Sequence, residues 1–110
     1  MAGRSHVLVE SQAFWGRPEA DSFLREAVSL AEAGDRVILY LVEEGVFAAV
    51  SDGVPELARL VELGSEVWAD EHSLGHRALV ATRLRPFVRV KAPWALDSAV
   101  READGRVAMH

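Results

Sequence analysis

Two rhythms of apolar residues take turns along this chain. Ser5 to Glu10 (SHVLVE) is a short run with β-branched Val7 and Val9 around Leu8, and it predicts a first strand that opens into polar Ser11 and Gln12. From Glu19 to Ala33 the apolar residues Ala20, Phe23, Leu24, Ala27, Val28, Leu30 and Ala31 recur at spacings of three and four, the stripe of an amphipathic helix. Gly34 follows the last periodic residue and suits the left-handed turn of a helix C-terminus. Arg36 to Val42 then carries unbroken hydrophobicity from Val37 onward, which predicts a strand buried on both faces, as in the middle of a parallel sheet covered by helices. Gly45 opens a short apolar turn over Val46 to Val50, and Ser51-Asp52-Gly53 breaks it. Pro55 to Leu63 is a second helical stretch with Leu57, Leu60 and Val61 as its stripe and Gly64 as its stop. Glu66 to Ala69 predicts a third strand, and Ser73 to Ala81 carries a weaker helical pattern that Pro86 interrupts. Phe87 to Lys91 alternates as a fourth strand with one wetter face. Trp94 to Ala103 predicts a last helix, stopped by Gly105, and Arg106 to Met109 a fifth strand.

Strands alternating with helices at this pitch imply βαβ crossovers. The predicted architecture is an α/β fold of three layers, α/β/α, around a mostly parallel five-stranded sheet. In such sheets ligands bind outside the carboxyl ends of the strands, where loops and helix N-termini converge. Four segments should reach that rim: Glu10 to Arg17, Glu43 to Phe47, Asp70 to His76, and Ala92 to Trp94.

Composition narrows the classes of function. With 110 residues the chain fits one domain over 1–110, and half of it is apolar, enough for a packed core. A net charge of −5 predicts a carboxylate-rich surface that repels a phosphate backbone, so no nucleic-acid partner is expected. There is no cysteine, which excludes disulfides, Cys-ligated zinc and thiol mechanisms. No basic segment precedes a long apolar run near the N-terminus and no stretch has the length of a membrane span, so the expectation is a cytoplasmic protein with no membrane partner.

Candidate chemistry concentrates in ADEHSLGHR, Ala69 to Arg77. His72 and His76 are four apart, which on a helix places both imidazoles on one face, and Asp70 or Glu71 could add an oxygen ligand to a zinc-like ion. Gly75 between them weakens the helix, and the acids precede the pair instead of forming an HExxH pattern. Acid–base catalysis by Asp70, Glu71 and His72 is a second option, with Ser73 or Ser11 polarised by one of them. No G-x-S-x-G elbow frames either serine. The plainer alternative is a pair of surface histidines at the start of a helix whose N-terminus is lined by Asp70 and Glu71 as caps. Glu43 and Glu44, at the end of the second strand, could face the same cleft or a solvated turn. The first crossover, Glu10 to Pro18, lacks the glycine spacing of a dinucleotide or P-loop site, so no resident cofactor is expected. It does carry Phe14 and Trp15, which with Trp68 and Trp94 could line a ligand pocket, anchor a subunit interface or pack beneath their loops.

The order of pieces resembles the DsrE/DsrF-like (DsrEFH-like) family of small sulfur-relay proteins over nearly the whole chain. The passage LAEAGDRVILYLVEEGVFAAV carries the likeness best: helix, Ala-Gly, a charged residue, a hydrophobic strand, then acidic residues, Gly-Val, an aromatic and Ala. In that family a cysteine after the third strand, several residues before an arginine, carries sulfur as a persulfide. Setting Arg77 against that arginine places Asp70 where the cysteine would stand and Ser73 where some members hold another. The resemblance therefore implies the fold and a habit of oligomerising, with a related sulfur-relay protein as a possible partner, but not the reaction, because an aspartate forms no persulfide. It implies a polar pocket with an anionic floor and histidine walls, lined by Ser11, Trp15, Glu43, Asp70, Ser73, His76 and Arg77. Edge strands and exposed aromatic loops on so small a domain argue separately for a homo-oligomer. Two functions stand open: a cysteine-less, non-catalytic binding or partner subunit, and a small enzyme using Asp70, Glu71 and His72 for acid–base or metal-assisted chemistry.

Overall fold

The computed structural model describes residues 3–14 and 18–110. Five strands, β1 (Ser5–Glu10), β2 (Arg36–Leu41), β3 (Glu66–Asp70), β4 (Val88–Lys91) and β5 (Val107–Met109), form one sheet in the order β4-β3-β2-β1-β5. Every pairing is parallel, so the sheet is wholly rather than mostly so. The register sets Val9 beside Tyr40, Tyr40 beside Trp68, and Asp70 beside Lys91. Among the described residues four α-helices connect the strands: α1 (Pro18–Glu32), α2 (Pro55–Glu62), α3 (Glu71–His76) and α4 (Pro93–Glu102).

Chain direction explains which helix lies where. β1 to β4 step in one direction across the sheet, so right-handed crossovers put α1, α2 and α3 on one face. β5 returns to the far side of β1, which sends α4 alone to the other face. The first face is closed by Leu8, Leu39 and Leu41 of the sheet packed against Leu24, Leu57 and Leu60, all essentially without solvent contact. Each such side chain contributes about 1.5–3 kcal/mol by its burial. The second face holds a smaller cluster, Val7, Val9, Tyr40 and Trp68 under Ala95 and Ala99.

Local chemistry sets the helix ends. Gly34 and Gly64 take positive φ angles of 98° and 88° after α1 and α2, the left-handed conformation that lets the next residue's amide turn back on the helix, as Asp35 and Ser65 do onto the carbonyls of Leu30 and Leu60. Prolines open α2 and α4, where no amide hydrogen is needed. Three predicted boundaries are corrected. The apolar turn at 46–50 belongs to a 3-10 helix, Glu43–Val50. The third strand runs one residue further, to Asp70. The helix expected over Ser73 to Ala81 is instead the six residues of α3, which start at Glu71 because Asp70 caps them and stop where Ala78 adopts a positive φ of 54°. Among the described residues no helix is long and apolar enough to cross a membrane.

Candidate functional site

Asp70 is the last residue of β3 and the N-cap of α3, only 5% exposed. Its alternation along β3 places it on the same face as Trp68, toward α4, where Tyr40 of the neighbouring strand stands. The Tyr40 hydroxyl donates to Asp70 Oδ1 at 2.6 Å. The Ser73 amide and the Ser73 hydroxyl both donate to Oδ2, at 2.9 and 2.8 Å. Burial pushes the carboxyl pKa up, but the bonds from Tyr40 and Ser73, with help from the His72 charge, outweigh it and hold Asp70 below the ordinary carboxylate value. Burial and the same Asp70 bond push the Tyr40 phenol the other way, so it stays protonated and remains the donor.

The network reaches the neighbouring strand end. Ser73 Oγ accepts the Glu43 amide at 2.8 Å, and Glu43 holds a positive φ of 53° as the chain leaves β2. Arg77 donates to Glu44 Oε1 at 2.8 Å and to the Ser73 carbonyl at 3.3 Å. Gly45 follows because no side chain fits there: a Cβ would stand 2.1 Å from the Glu10 carbonyl oxygen. Glu43, Asp70, Ser73 and Arg77 are thus brought together, tied by Glu44, which the sequence already placed near the same cleft, and by Tyr40, which it did not. Tyr40 hides inside a continuous apolar run, where its hydroxyl leaves no signal.

The other candidates lie apart from this network. His72, His76 and Glu71 are exposed on α3. Among the described residues no three His, Asp or Glu side chains gather as a metal would require. Ser11 sits at the end of β1, donating its hydroxyl to the His110 carbonyl at 2.6 Å. Trp15 lies outside the described residues. Beside Ser11 is a pair that sequence reasoning missed. Glu10, 1% exposed, meets His110 Nδ1 at 2.9 Å, and the imidazole stacks on Phe23 with ring centroids 5.3 Å apart. A partnership across a hundred residues has no local signature; only the adjacency of β1 and β5 creates it.

The open space is elsewhere. A groove of about 410 Å³ runs along the sheet face beside α4, lined by Ile38, Trp68, Lys91, Trp94, Ser98 and Ala99 among others, and none of the candidates Ser11, Glu43, Asp70, Ser73, His76 or Arg77 lines it. Tyr40 links the two regions: it bonds Asp70 and sets its ring edge-on to Trp68, centroids 6.4 Å apart.

No family model matches the chain, and no curated protein matches it in sequence. Solved structures do match in fold. The YchN protein from E. coli superposes with a TM-score of 0.87 at 20% identity, covering 100% of both chains. MTH1491 from Methanobacterium thermoautotrophicum, a protein of unknown function, gives 0.76 at 12% identity over 96% of this chain and 98% of that one. BT1422 from Bacteroides thetaiotaomicron, a conserved protein of unknown function, gives 0.68 at 12% identity over 96% and 94%. These structures have the DsrE-like fold, and this chain has the same fold.

Proposed function

We propose that this chain is a cysteine-less DsrE/DsrF-like protein working as a non-catalytic binding or partner subunit. The observation that carries this reading is the state of Asp70: both oxygens are engaged, with three donors arranged around a buried carboxylate. A general base needs a lone pair aimed at substrate, and a nucleophile needs an approach path. Asp70 instead spends its charge on capping α3 and holding the ends of β2 and β3 together. The competing acid–base enzyme would have to work through the exposed Glu71 and His72 alone.

Support for association comes from the α4 side. β5 is a three-residue edge strand whose Val107 and Met109 are 51% and 71% exposed, and Val100 of α4 is also uncovered. Apolar side chains beside an unpaired strand edge favour a second chain, either a copy or a cysteine-bearing relative of the same fold. Sedimentation of the chain, alone and mixed with such a relative from the same cell, tests this. An assembly retained by Asp70→Asn and lost on Met109→Asp is expected. A monomer under both conditions, or turnover that disappears with His72→Ala, overturns the reading.

A further inference from the structure

The groove and the β5 edge lie on different flanks of α4. Trp94, Ala95, Ser98, Ala99 and Glu102 recur at spacings of three and four and turn one stripe of the helix to the groove, while Val100 lies off that stripe. The groove therefore remains available when the edge is used for association. Its volume, about 410 Å³, falls in the range that holds a small organic molecule.

Two features fix the kind of molecule. First, the groove carries two indoles. Trp68 forms part of its wall at 8% exposure, and Trp94 stands at 73% exposure, a large flat ring left in water on a well-formed helix. A planar aromatic guest covers such a ring more completely than an aliphatic one. Second, the charges there are unequal in engagement. Glu66 is saturated: Trp68 Nε1 donates to it at 3.1 Å, Arg89 at 3.0 Å, and Arg36 pairs with its other oxygen at 3.5 Å. Lys91 is held with its ammonium 4.8 Å from the Trp68 ring centroid, and among the described residues no carboxylate lies within ion-pair distance of it. The neighbouring Asp70 carboxylate, next to Lys91 in the sheet register, is turned into α3 and onto Tyr40 instead. A cation parked against an indole, with Glu66 and Asp70 already bonded and the groove's other acid, Glu102, at the far end of α4 from Trp94, is the complement of an anion attached to a ring.

We propose that the groove is a binding site for a small planar aromatic carboxylate, its ring against Trp94 and the apolar floor of Ile38 and Ala99, and its carboxylate on Lys91. This deepens the binding-subunit reading and rests on it, supplying the class of ligand.

Three probes sharing one ring separate the contributions: indole-3-acetate, neutral indole and cationic tryptamine, titrated calorimetrically into the full chain. Saturable binding of indole-3-acetate is expected, with indole about tenfold weaker for want of one charge-assisted contact and tryptamine weaker still. Lys91→Met should erase the preference for the acid over indole, and Trp94→Ala, an exposed position whose loss leaves the fold intact, should weaken both. Absence of saturable binding, tryptamine binding as well as the acid, or an unchanged preference in Lys91→Met overturns the proposal. Sedimentation of the same samples keeps the two readings apart. An intact assembly that ignores the probes removes the aromatic-anion site alone, whereas a monomer that binds indole-3-acetate removes the partner reading alone.

Discussion

The two faces of the sheet are finished differently. On one, α1, α2 and α3 with the 3-10 helix cover the strands, and Leu8, Leu39 and Leu41 are fully buried among helix side chains. On the other, α4 alone must serve five strands, so β2, β3 and β4 keep a groove beside it and β5 keeps a bare edge. The crowded face holds the larger apolar core, and the open face keeps a groove and an exposed strand edge. Asp70 and Ser73 lie between them and belong in their energetics to the first kind: their polar side chains are engaged in holding strand ends. A cluster of catalytic residue types is therefore weaker grounds for chemistry than an unoccupied lone pair.

The largest effect expected from this contrast is on the closed face. Leu39→Ala, at a fully buried site, should cost about 2–5 kcal/mol in urea unfolding through lost transfer energy and a residual cavity. Next comes the rim. Asp70→Ala removes a helix cap and leaves the buried Tyr40 hydroxyl without its acceptor, together about 2–3 kcal/mol. A loss under about 0.5 kcal/mol would mean that the network is a site held loosely rather than a structural joint. Tyr40→Phe takes away one donor but leaves Asp70 its two bonds from Ser73, and should cost about 1 kcal/mol. On the open side, Trp94→Ala and the α3 variants His72→Ala and His76→Ala should each stay within about 0.5 kcal/mol, because these side chains are exposed. A destabilisation of 1 kcal/mol or more by Trp94→Ala would show that the open face is load-sharing core after all.

Much of this division could be read from the amino acids. The unbroken apolar run from Val37 to Val42 announced a central parallel strand, and the stripes of α1 and α2 announced the covered face. Asp70 at a strand end, three residues before Ser73, was legible as a helix cap. What escaped was whatever depends on strand order. The return of β5 to β1 creates both the Glu10–His110 pair and the lone position of α4, and no local pattern encodes that return. The groove was legible only in part, because Trp68 and Trp94 stood out as possible pocket walls while the rest of its lining did not. Trp94, Ala95, Ser98 and Ala99 form an ordinary amphipathic stripe, and only the absence of a second helix beside α4 turns it into a wall. The histidines keep their four-residue spacing on α3 and are both exposed, in line with the plainer reading of a surface pair.

The smallest effect is one of slope, and it probes the rim most directly. Asp70 is held below the ordinary carboxylate value, about 3.9 in an unfolded chain, because the hydrogen bonds outweigh burial. Its ionised form thus contributes stability that is complete above that value. As pH falls below it, the unfolded chain takes up the proton first, and the contribution drains away until pH has passed through the lower folded pKa. Asp70→Asn, which keeps an acceptor for Tyr40 but cannot titrate, should be less stable than the wild type at neutral pH and approach it in acid. Asp35 and Asp104 are also held low, by His6 and the Arg4 amide and by Ser5 respectively, so a residual acid slope common to both proteins remains. Subtracting the two unfolding curves isolates Asp70. A difference that is flat from neutral pH to about pH 2 would mean that its bonds in the folded chain do not favour the ionised form, and the carboxylate would return to the list of groups free to act on a ligand.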